Sequence, residues 1–224
     1  MVDAPALVEP PAILVRVERP EPPLRYSKIT AEDTALDKVG NRFDIAGAGV
    51  LYAASHTQGA LAETSASFRV SASLLEKMAR AGAGPNELPT PALGPEWRAQ
   101  RVIRTLETRD ALLYVDIEDP VTHTYLTSHA RAILIALGVS HLDVPAVRGP
   151  SWLLTRGLAT WLYQARDSEG APQYGGIRYV SKLGDYENSA IFDGTEVRIL
   201  GHQRITLDNP DLIAVATRHG IPLA

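Results

Sequence analysis

The stretch Asn41–Arg69 constrains the fold most, because it places a polar loop, a short apolar run and a small-residue helix in immediate succession. The run Val50–Ala54 begins with a β-branched residue and is long enough for a buried strand. Ser55 and Thr57 follow, and their hydroxyls can accept hydrogen bonds from the N–H groups of a first helical turn. The pattern predicts a buried strand that leads, through a cap, into a helix over Gln58–Phe68.

The predicted helix presents one acidic side chain on a face that is otherwise nearly without side-chain bulk. Residues three and four apart share a helical face, and here they are Gly59, Ala60, Glu63, Ala66 and Ser67. A glutamate among small residues can be held at the floor of a cleft and approached closely by a ligand. The alternative is a solvent-exposed glutamate, which is the commoner state of this residue type.

Composition limits the classes of protein to consider. With 224 residues, of which 45% are apolar, the chain can build one domain with a full-sized core. A net charge of −4 gives no bulk attraction to nucleic acids or anionic membranes. The absence of cysteine excludes disulfides, thiolate metal sites and a cysteine nucleophile. We expect a cytoplasmic location, since no secretory signal and no apolar run of roughly 20 residues is present.

Strand and helix patterns occur without strict alternation, which predicts a single α+β domain with a central mixed or antiparallel sheet flanked by helices. Residues 1–24 are interpreted as a proline-rich segment with a short strand, residues 25–224 as the domain, and residues 81–95 as a surface loop. Trp152 and Trp161 are interpreted as core residues. The strand candidates are Ile13–Val17, Val50–Ala54, Trp97–Leu106, Ala111–Ile117, Ile177–Ser181, Ala190–Phe192 and Val197–Leu207, and the later helix candidates are Ser73–Ala81, Val121–Leu137, Pro150–Arg166 and Asp211–His219.

Common cofactor and metal motifs are missing. Gly47 and Gly49 precede a strand instead of following one, so they do not form a dinucleotide fingerprint. His123 and His129 are six residues apart, which is the wrong spacing for two metal ligands on one helical face. We therefore expect no catalytic metal.

Two blocks of the chain resemble the RES domain family. The first is RFDIAGAGVLYAASHTQGALAE, and the second is PSWLLTRGLATWLYQARDSEGAPQYGGIRYVSK, which ends in Gly-Ile-x-Tyr-x-Ser. The resemblance implies a toxin of a bacterial toxin–antitoxin pair that degrades NAD and folds like ADP-ribosyltransferase toxins. It also implies a helix-turn-helix (Xre-like) antitoxin partner that blocks the cleft. By motif position, the cleft residues are Arg25, Tyr26, Arg42, Tyr52, Glu63 and Ser181.

The residue chemistry fits NAD as a substrate, with no further cofactor. Arg25 and Arg42 can bind the pyrophosphate, and Tyr26 or Tyr52 can stack on a base. Ser181 can bond a ribose hydroxyl or the carboxamide. With Arg42 and Tyr52, Glu63 forms the expected catalytic set, since a carboxylate can stabilise the oxocarbenium-like centre left by departing nicotinamide.

Each of these residues also has a simpler interpretation, and three functions stay open. Arg42 can be tied to Asp44 or to a backbone carbonyl, Tyr52 can be a core residue, and Ser181 can satisfy local backbone groups. Lys182 stands where the family pattern has arginine. The functions are an NAD hydrolase or phosphorylase, a protein ADP-ribosyltransferase, and a non-catalytic partner-binding domain. Homo-oligomerisation is left open.

Overall fold

A computed structural model describes residues 2–37, 39–82, 92–109 and 112–224. Within these residues, the strands form one mixed sheet of the order β1-β5-β6-β7-β3-β2-β4-β8, in which β5 and β6 are parallel and the other neighbours antiparallel. The strands are β1 Leu7–Val8, β2 Leu14–Glu18, β3 Val50–Ala54, β4 Val102–Thr108, β5 Tyr114–Asp116, β6 Gly176–Val180, β7 Glu187–Phe192 and β8 Val197–Arg204. The predicted α+β class is confirmed.

The helices are mostly short, and none in the described part of the chain is long and apolar enough to cross a membrane. They are α1 Ala31–Thr34, α2 Thr57–Thr64, α3 Ala72–Arg80, α4 Pro95–Ala99, α5 Pro120–His129, α6 Arg131–Ala136, α7 Val144–Arg148, α8 Trp152–Gln164 and α9 Pro210–His219, with a 3-10 turn over Ala66–Phe68.

The short strand predicted near the N-terminus is an internal strand of the sheet. β2 lies between β3 and β4 and pairs with β4 along its whole length, from Leu14 with Leu106 to Glu18 with Val102. The segment 1–24 thus shares one sheet with the rest of the chain, and a domain boundary at residue 24 stays a prediction. Most of the predicted surface loop 81–95 lies outside the described residues.

Three predicted element boundaries are wrong for local reasons. Trp97 lies in α4, because Gly94 and Pro95 begin a helix there and the strand starts only at Val102. α8 begins at Trp152 with Ser151 as its N-cap, so Pro150 lies outside it. The predicted helix Val121–Leu137 breaks at Ala130. Hydroxyls of Thr124, Thr127 and Ser128 bond to carbonyls four residues back, a pattern that bends helices.

Strand β3 divides the core. Successive strand residues point to opposite faces, and Leu51 and Ala53 join a cluster on one face with Leu14, Leu106 and Ile191. On the other face, Val50 belongs to the cluster packed against α5, α6 and α8, whereas Ala54 belongs to the cluster packed against α2 and α9. Tyr52 lies between them on that face, where the two helical clusters leave room for a cleft.

Candidate active site

A cleft of about 670 Å³ opens where β2 and β3 diverge. These strands pair only at Val15 with Ala54, and Ser27 takes over the pairing of β3 at Val50. The Arg16 guanidinium spans the gap, since it donates to the Tyr52 and Arg25 carbonyls and pairs with Glu18. Arg16 therefore stabilises the separation of β2 and β3, and the space between these strands forms the cleft.

The cleft wall is strongly cationic although the chain is acidic overall. Among the described lining residues, Glu63 is the only carboxylate, and it faces five basic side chains. The basic residues are Arg16, Arg25, Lys28, Arg42 and Lys182. Such a surplus of positive charge at a concave surface favours an anionic ligand.

Helix α2 brings Glu63 to the cleft by lying unusually close to the sheet. A Cβ on Gly59 would lie 3.1 Å from the Ala54 Cβ and 3.2 Å from the Tyr186 Cβ, so the close packing depends on this glycine. Ala60, Glu63 and Ala66 line the cleft, as the small-residue face predicted. The helix itself ends at Thr64.

The predicted cap of α2 is wrong. His56 is the N-cap residue and its side chain makes no capping bond. The Ser55 hydroxyl donates instead to the Glu187 carbonyl at 3.3 Å and contacts His56 Nδ1 at 2.6 Å. The hydroxyl thus ties the end of β3 to β7 and is not available to the helix.

Glu63 is held by a buried amide that sequence reasoning missed. Asn188 on β7 pairs with Ala54, is 2% exposed, and donates from Nδ2 to Glu63 Oε1 at 3.1 Å. Asn188 becomes a neighbour of Glu63 only through sheet register, which spacing along the chain does not reveal. The Glu63 carboxylate is thus oriented while its side chain stays exposed to the cleft.

Tyr179 is a second cleft residue that the sequence analysis did not select, although it is the tyrosine of the Gly-Ile-x-Tyr-x-Ser block. It pairs with Asn188 across β6 and β7, and its ring packs on Phe43 with centroids 4.9 Å apart. Burial, and next the Glu63 charge, raise the pKa of Tyr179, whereas the Arg42 charge lowers it. The phenol therefore stays protonated at neutral pH and can serve as a hydrogen-bond donor.

Arg42 carries unused hydrogen-bond donors. Its Nε and Nη2 atoms are buried and have no hydrogen-bond partner among the described residues. Burial lowers the pKa of Arg42, while electrostatic interactions with Tyr179, Glu118 and Glu63 raise it. A guanidinium remains charged in proteins, and a buried donor without a partner is costly. Because the structure does not tie Arg42 to Asp44, the donors remain available to a ligand.

The loop under Arg42 is built around the fully buried carboxylate of Asp44. Asp44 accepts hydrogen bonds from the Asn41 amide at 2.6 Å, the Ser27 hydroxyl at 2.8 Å and the Tyr52 hydroxyl at 2.9 Å. Gly40 has a φ of +74°, and a Cβ there would lie 2.6 Å from Asp44 Oδ2. The tight loop therefore requires both a glycine and a carboxylate.

Helix α8 fixes the same loop from behind. The Thr155 hydroxyl donates to the Arg42 carbonyl at 2.6 Å, and Arg156 Nε donates to the Asn41 carbonyl at 3.1 Å. Both side chains are at most 2% exposed. The backbone of Arg42 is thus fixed on two sides, while Nε and Nη2 of its guanidinium have no hydrogen-bond partner among the described residues.

We expect Asp44→Ala to lower the free energy of unfolding by about 3 kcal/mol, because the donors of Asn41, Ser27 and Tyr52 around the buried carboxylate lose their acceptor. Urea unfolding measures the change. Asp3→Ala, at an exposed position, is the matched control and should change stability by less than about 0.5 kcal/mol. A loss for Asp44→Ala no larger than that of the control would contradict the role of Asp44.

The structure brings five of the six predicted site residues to one cleft. Arg25, Tyr26, Arg42, Tyr52 and Glu63 line it. The Tyr52 hydroxyl donates to Asp44 and accepts from the Phe43 amide at 3.0 Å, so it holds the Arg42 loop. Burial raises the pKa of both Tyr26 and Tyr52. Arg25 and Tyr26 follow a bend at Leu24, whose φ is +52°, and lie outside any strand, so strand alternation does not send their side chains to opposite faces.

Ser181 is the predicted residue that does not line the cleft. It is 3% exposed, and its hydroxyl accepts from the Leu183 amide at 2.9 Å. Its neighbours Lys182 and Leu183 are the lining residues, so Ser181 shapes the turn that presents them. A direct bond from Ser181 to a ligand stays a prediction.

Trp152 lies at the cleft wall, contrary to its interpretation as core. It is half-buried at the first position of α8, where no preceding helical turn covers it, and the Arg156 guanidinium lies 5.5 Å from its ring centroid. Trp161, by contrast, packs against the core. Trp152 adds an aromatic surface on which a base can stack.

His123 and His129 have structural roles. His123 Nε2 bonds to the Ile117 carbonyl at 2.9 Å, and His129 Nδ1 bonds to the Tyr125 carbonyl at 2.9 Å. The described residues contain no group of three or more acidic or histidine side chains that could hold a metal ion.

Comparison with known proteins identifies the family. No curated protein and no solved structure matches the chain. The family model described as the RES domain matches residues 13–209, which covers most of the chain from β2 to the start of α9 and includes every residue of the cleft. The protein belongs to the RES domain family.

Proposed function

We propose that the protein is a toxin-type enzyme that cleaves the bond between nicotinamide and ribose in NAD and so depletes cellular NAD. One observation carries the proposal: Glu63 is held by Asn188 in a cleft where two buried donors of the Arg42 guanidinium have no hydrogen-bond partner in the described part of the chain. The family membership supports a toxin-type domain. NAD is the substrate, and no further cofactor is needed.

The charges of the cleft fit the parts of NAD. The pyrophosphate would take the guanidiniums of Arg42 and Arg25, which form charge-assisted and bidentate hydrogen bonds to phosphate oxygens. The aromatic rings of Tyr26, Tyr52 and Trp152 line the same cleft and offer faces for the bases. Glu63 would lie beside the ribose that carries nicotinamide.

The reaction needs one carboxylate. The bond between ribose C1′ and the nicotinamide nitrogen breaks, and its electron pair leaves with neutral nicotinamide, so no general acid is required. Glu63 would stabilise the positive charge that develops on the ribose, and the protonated Tyr179 and Arg42 would orient groups beside it. Attack by water then forms ADP-ribose and releases a proton, whereas attack by phosphate forms ADP-ribose 1″-phosphate.

Product analysis tests the proposal. Purified protein is incubated with NAD, with and without phosphate, and nicotinamide and the second product are identified by mass spectrometry. Release of nicotinamide with either acceptor is the expected result. Absence of release under both conditions, from protein without a bound partner, would contradict the proposed reaction.

A protein ADP-ribosyltransferase would use the same cleft with a polypeptide nucleophile. Labelled ADP-ribose would then appear on protein instead of as a free product. Calorimetry that finds no affinity for NAD, together with tight binding of a partner, would instead favour the non-catalytic alternative.

We also propose a cytoplasmic location and a helix-turn-helix antitoxin that closes the cleft. The support is the family membership and the open, cationic wall around Glu63. A protein of this class encoded in the adjacent reading frame, and inhibition of nicotinamide release by that protein, are the expected observations.

We expect Asn188→Ala to lower kcat for NAD cleavage by about tenfold with little change in KM, because loss of the 3.1 Å bond releases the Glu63 carboxylate without removing it. Steady-state kinetics measures kcat and KM separately. Ser189→Ala, at the neighbouring buried position that faces the other side of the sheet, is the control. Equal kinetics for the two variants would contradict the positioning role.

A further inference from the structure

The register of β3 sets the two ends of the cleft. At one end, Ala54 pairs with Asn188, which holds Glu63. At the other end, Val50 pairs with Ser27. Four residue steps along an antiparallel strand span about 13 Å, a distance that a pyrophosphate and its two riboses can bridge. If the nicotinamide ribose lies at Glu63, the adenosine ribose lies at the segment 25–28.

That segment carries two exposed cations, Arg25 and Lys28, both on the cleft wall. Neither side chain forms an ion pair or a hydrogen bond within the described residues. Arg42 also has donors without a described partner, but these donors are buried, whereas Arg16 and Lys182 are bound within the protein. Arg16 is bound to Glu18 and to two carbonyls, and Lys182 donates to the Gly149 carbonyl at 2.5 Å. The distal end of the cleft therefore has positive charge that no protein group uses.

In doubly wound dinucleotide-binding folds, a carboxylate on the adenosine ribose 2′-hydroxyl accompanies NAD, whereas a basic residue there accommodates the 2′-phosphate of NADP. The same charge chemistry applies to a cleft of another fold. Among the described lining residues, the only carboxylate is Glu63, at the opposite end. A 2′-phosphate adds about 1.5 to 2 negative charges at neutral pH. At the segment 25–28 it would meet Lys28, next to Arg25. The described carboxylates near this segment do not line the cleft: Asp44 is buried and accepts from the Ser27 hydroxyl, and Asp193 lies near Tyr26.

We infer that the cleft accepts 2′-phosphorylated dinucleotides, so that NADP is cleaved alongside NAD, with Lys28 as the principal contact of the 2′-phosphate and Arg25 on the pyrophosphate next to it. This inference rests on the proposed function. The reaction is unchanged. The bond from C1 of the nicotinamide ribose to nicotinamide breaks, nicotinamide leaves with the electron pair, and water or phosphate adds to that carbon. The 2′-phosphate remains on the adenosine ribose throughout.

Kinetics on both dinucleotides tests the inference. The wild type should cleave NAD and NADP with kcat/KM values within about tenfold of each other, and Lys28→Glu should shift the ratio toward NAD by about tenfold or more. Lys77→Glu, an equal change of charge on α3 outside the cleft, should leave the ratio unchanged. Two results would overturn the inference but not the proposed function. One is a wild-type protein that cleaves NAD with a kcat/KM more than about tenfold above that for NADP. The other is a ratio of the two kcat/KM values that is the same in Lys28→Glu as in the wild type.

A binding measurement separates the inference from catalysis. Calorimetry compares the binding of adenosine 2′,5′-bisphosphate and adenosine 5′-monophosphate to the wild-type protein. Neither nucleotide contains a nicotinamide bond that could be cleaved. The bisphosphate should bind about tenfold more tightly, and Lys28→Glu should remove the difference. Equal affinities would overturn the inference, even if neither dinucleotide were cleaved and the proposed function had failed.

Discussion

Glu63→Gln should slow nicotinamide release from NAD by about 10³-fold while leaving the fold intact, because it removes the negative charge opposite the developing oxocarbenium centre. The amide keeps the shape of the side chain, and its oxygen can still accept the bond from Asn188. We therefore expect the loss in kcat and little change in KM for NAD. Single-turnover measurement of nicotinamide release separates the chemical step from binding.

The matched control is Glu169→Gln, which removes an equal charge from an exposed loop away from the cleft. That variant should retain wild-type kinetics, and both should unfold at the same temperature as the wild type. A Glu63→Gln variant within tenfold of wild-type kcat would exclude an electrostatic role for the carboxylate.

Arg42→Met should change activity and stability in opposite directions. We expect kcat/KM for NAD to fall about a hundredfold, because the pyrophosphate loses a charge-assisted and bidentate partner. We expect the free energy of unfolding to rise by roughly 1 kcal/mol, because methionine avoids burying Nε and Nη2 without partners. Such opposition is typical of groups that a protein keeps for function at a cost in stability.

Steady-state kinetics and urea unfolding measure the two effects on one preparation. Arg131→Met, at an exposed position at the start of α6, is the control and should change neither. A large loss of stability in Arg42→Met would show that the guanidinium serves the fold, and it would contradict a ligand-binding role.

The sequence predicted the parts of the site that depend on local periodicity. The run Val50–Ala54 is β3, and the small-residue face of α2 places Glu63 in the cleft, because both patterns are set by neighbours along the chain. The bend at Leu24 is not set by periodicity. Arg25 and Tyr26, which follow it, lie outside any strand, and both line the cleft.

The residues that the sequence analysis missed are those that non-local pairing brings together. Asn188 and Tyr179 reach Glu63 only through the register of β3 with β7 and of β7 with β6. Asp44 does not bind Arg42, because Asn41, Ser27 and Tyr52 occupy its carboxylate oxygens. Such competition between donors is decided by three-dimensional packing, so it cannot be predicted from spacing along the chain.

The crystal structure of the Glu63→Gln variant with NAD tests the central claim most directly, because the slowed variant should hold the dinucleotide intact. The account predicts the nicotinamide ribose beside residue 63, with Arg42 Nε and Nη2 about 2.9 Å from oxygen atoms of the pyrophosphate. NAD bound elsewhere, or bound in this cleft with the Arg42 guanidinium still without a partner, would contradict it.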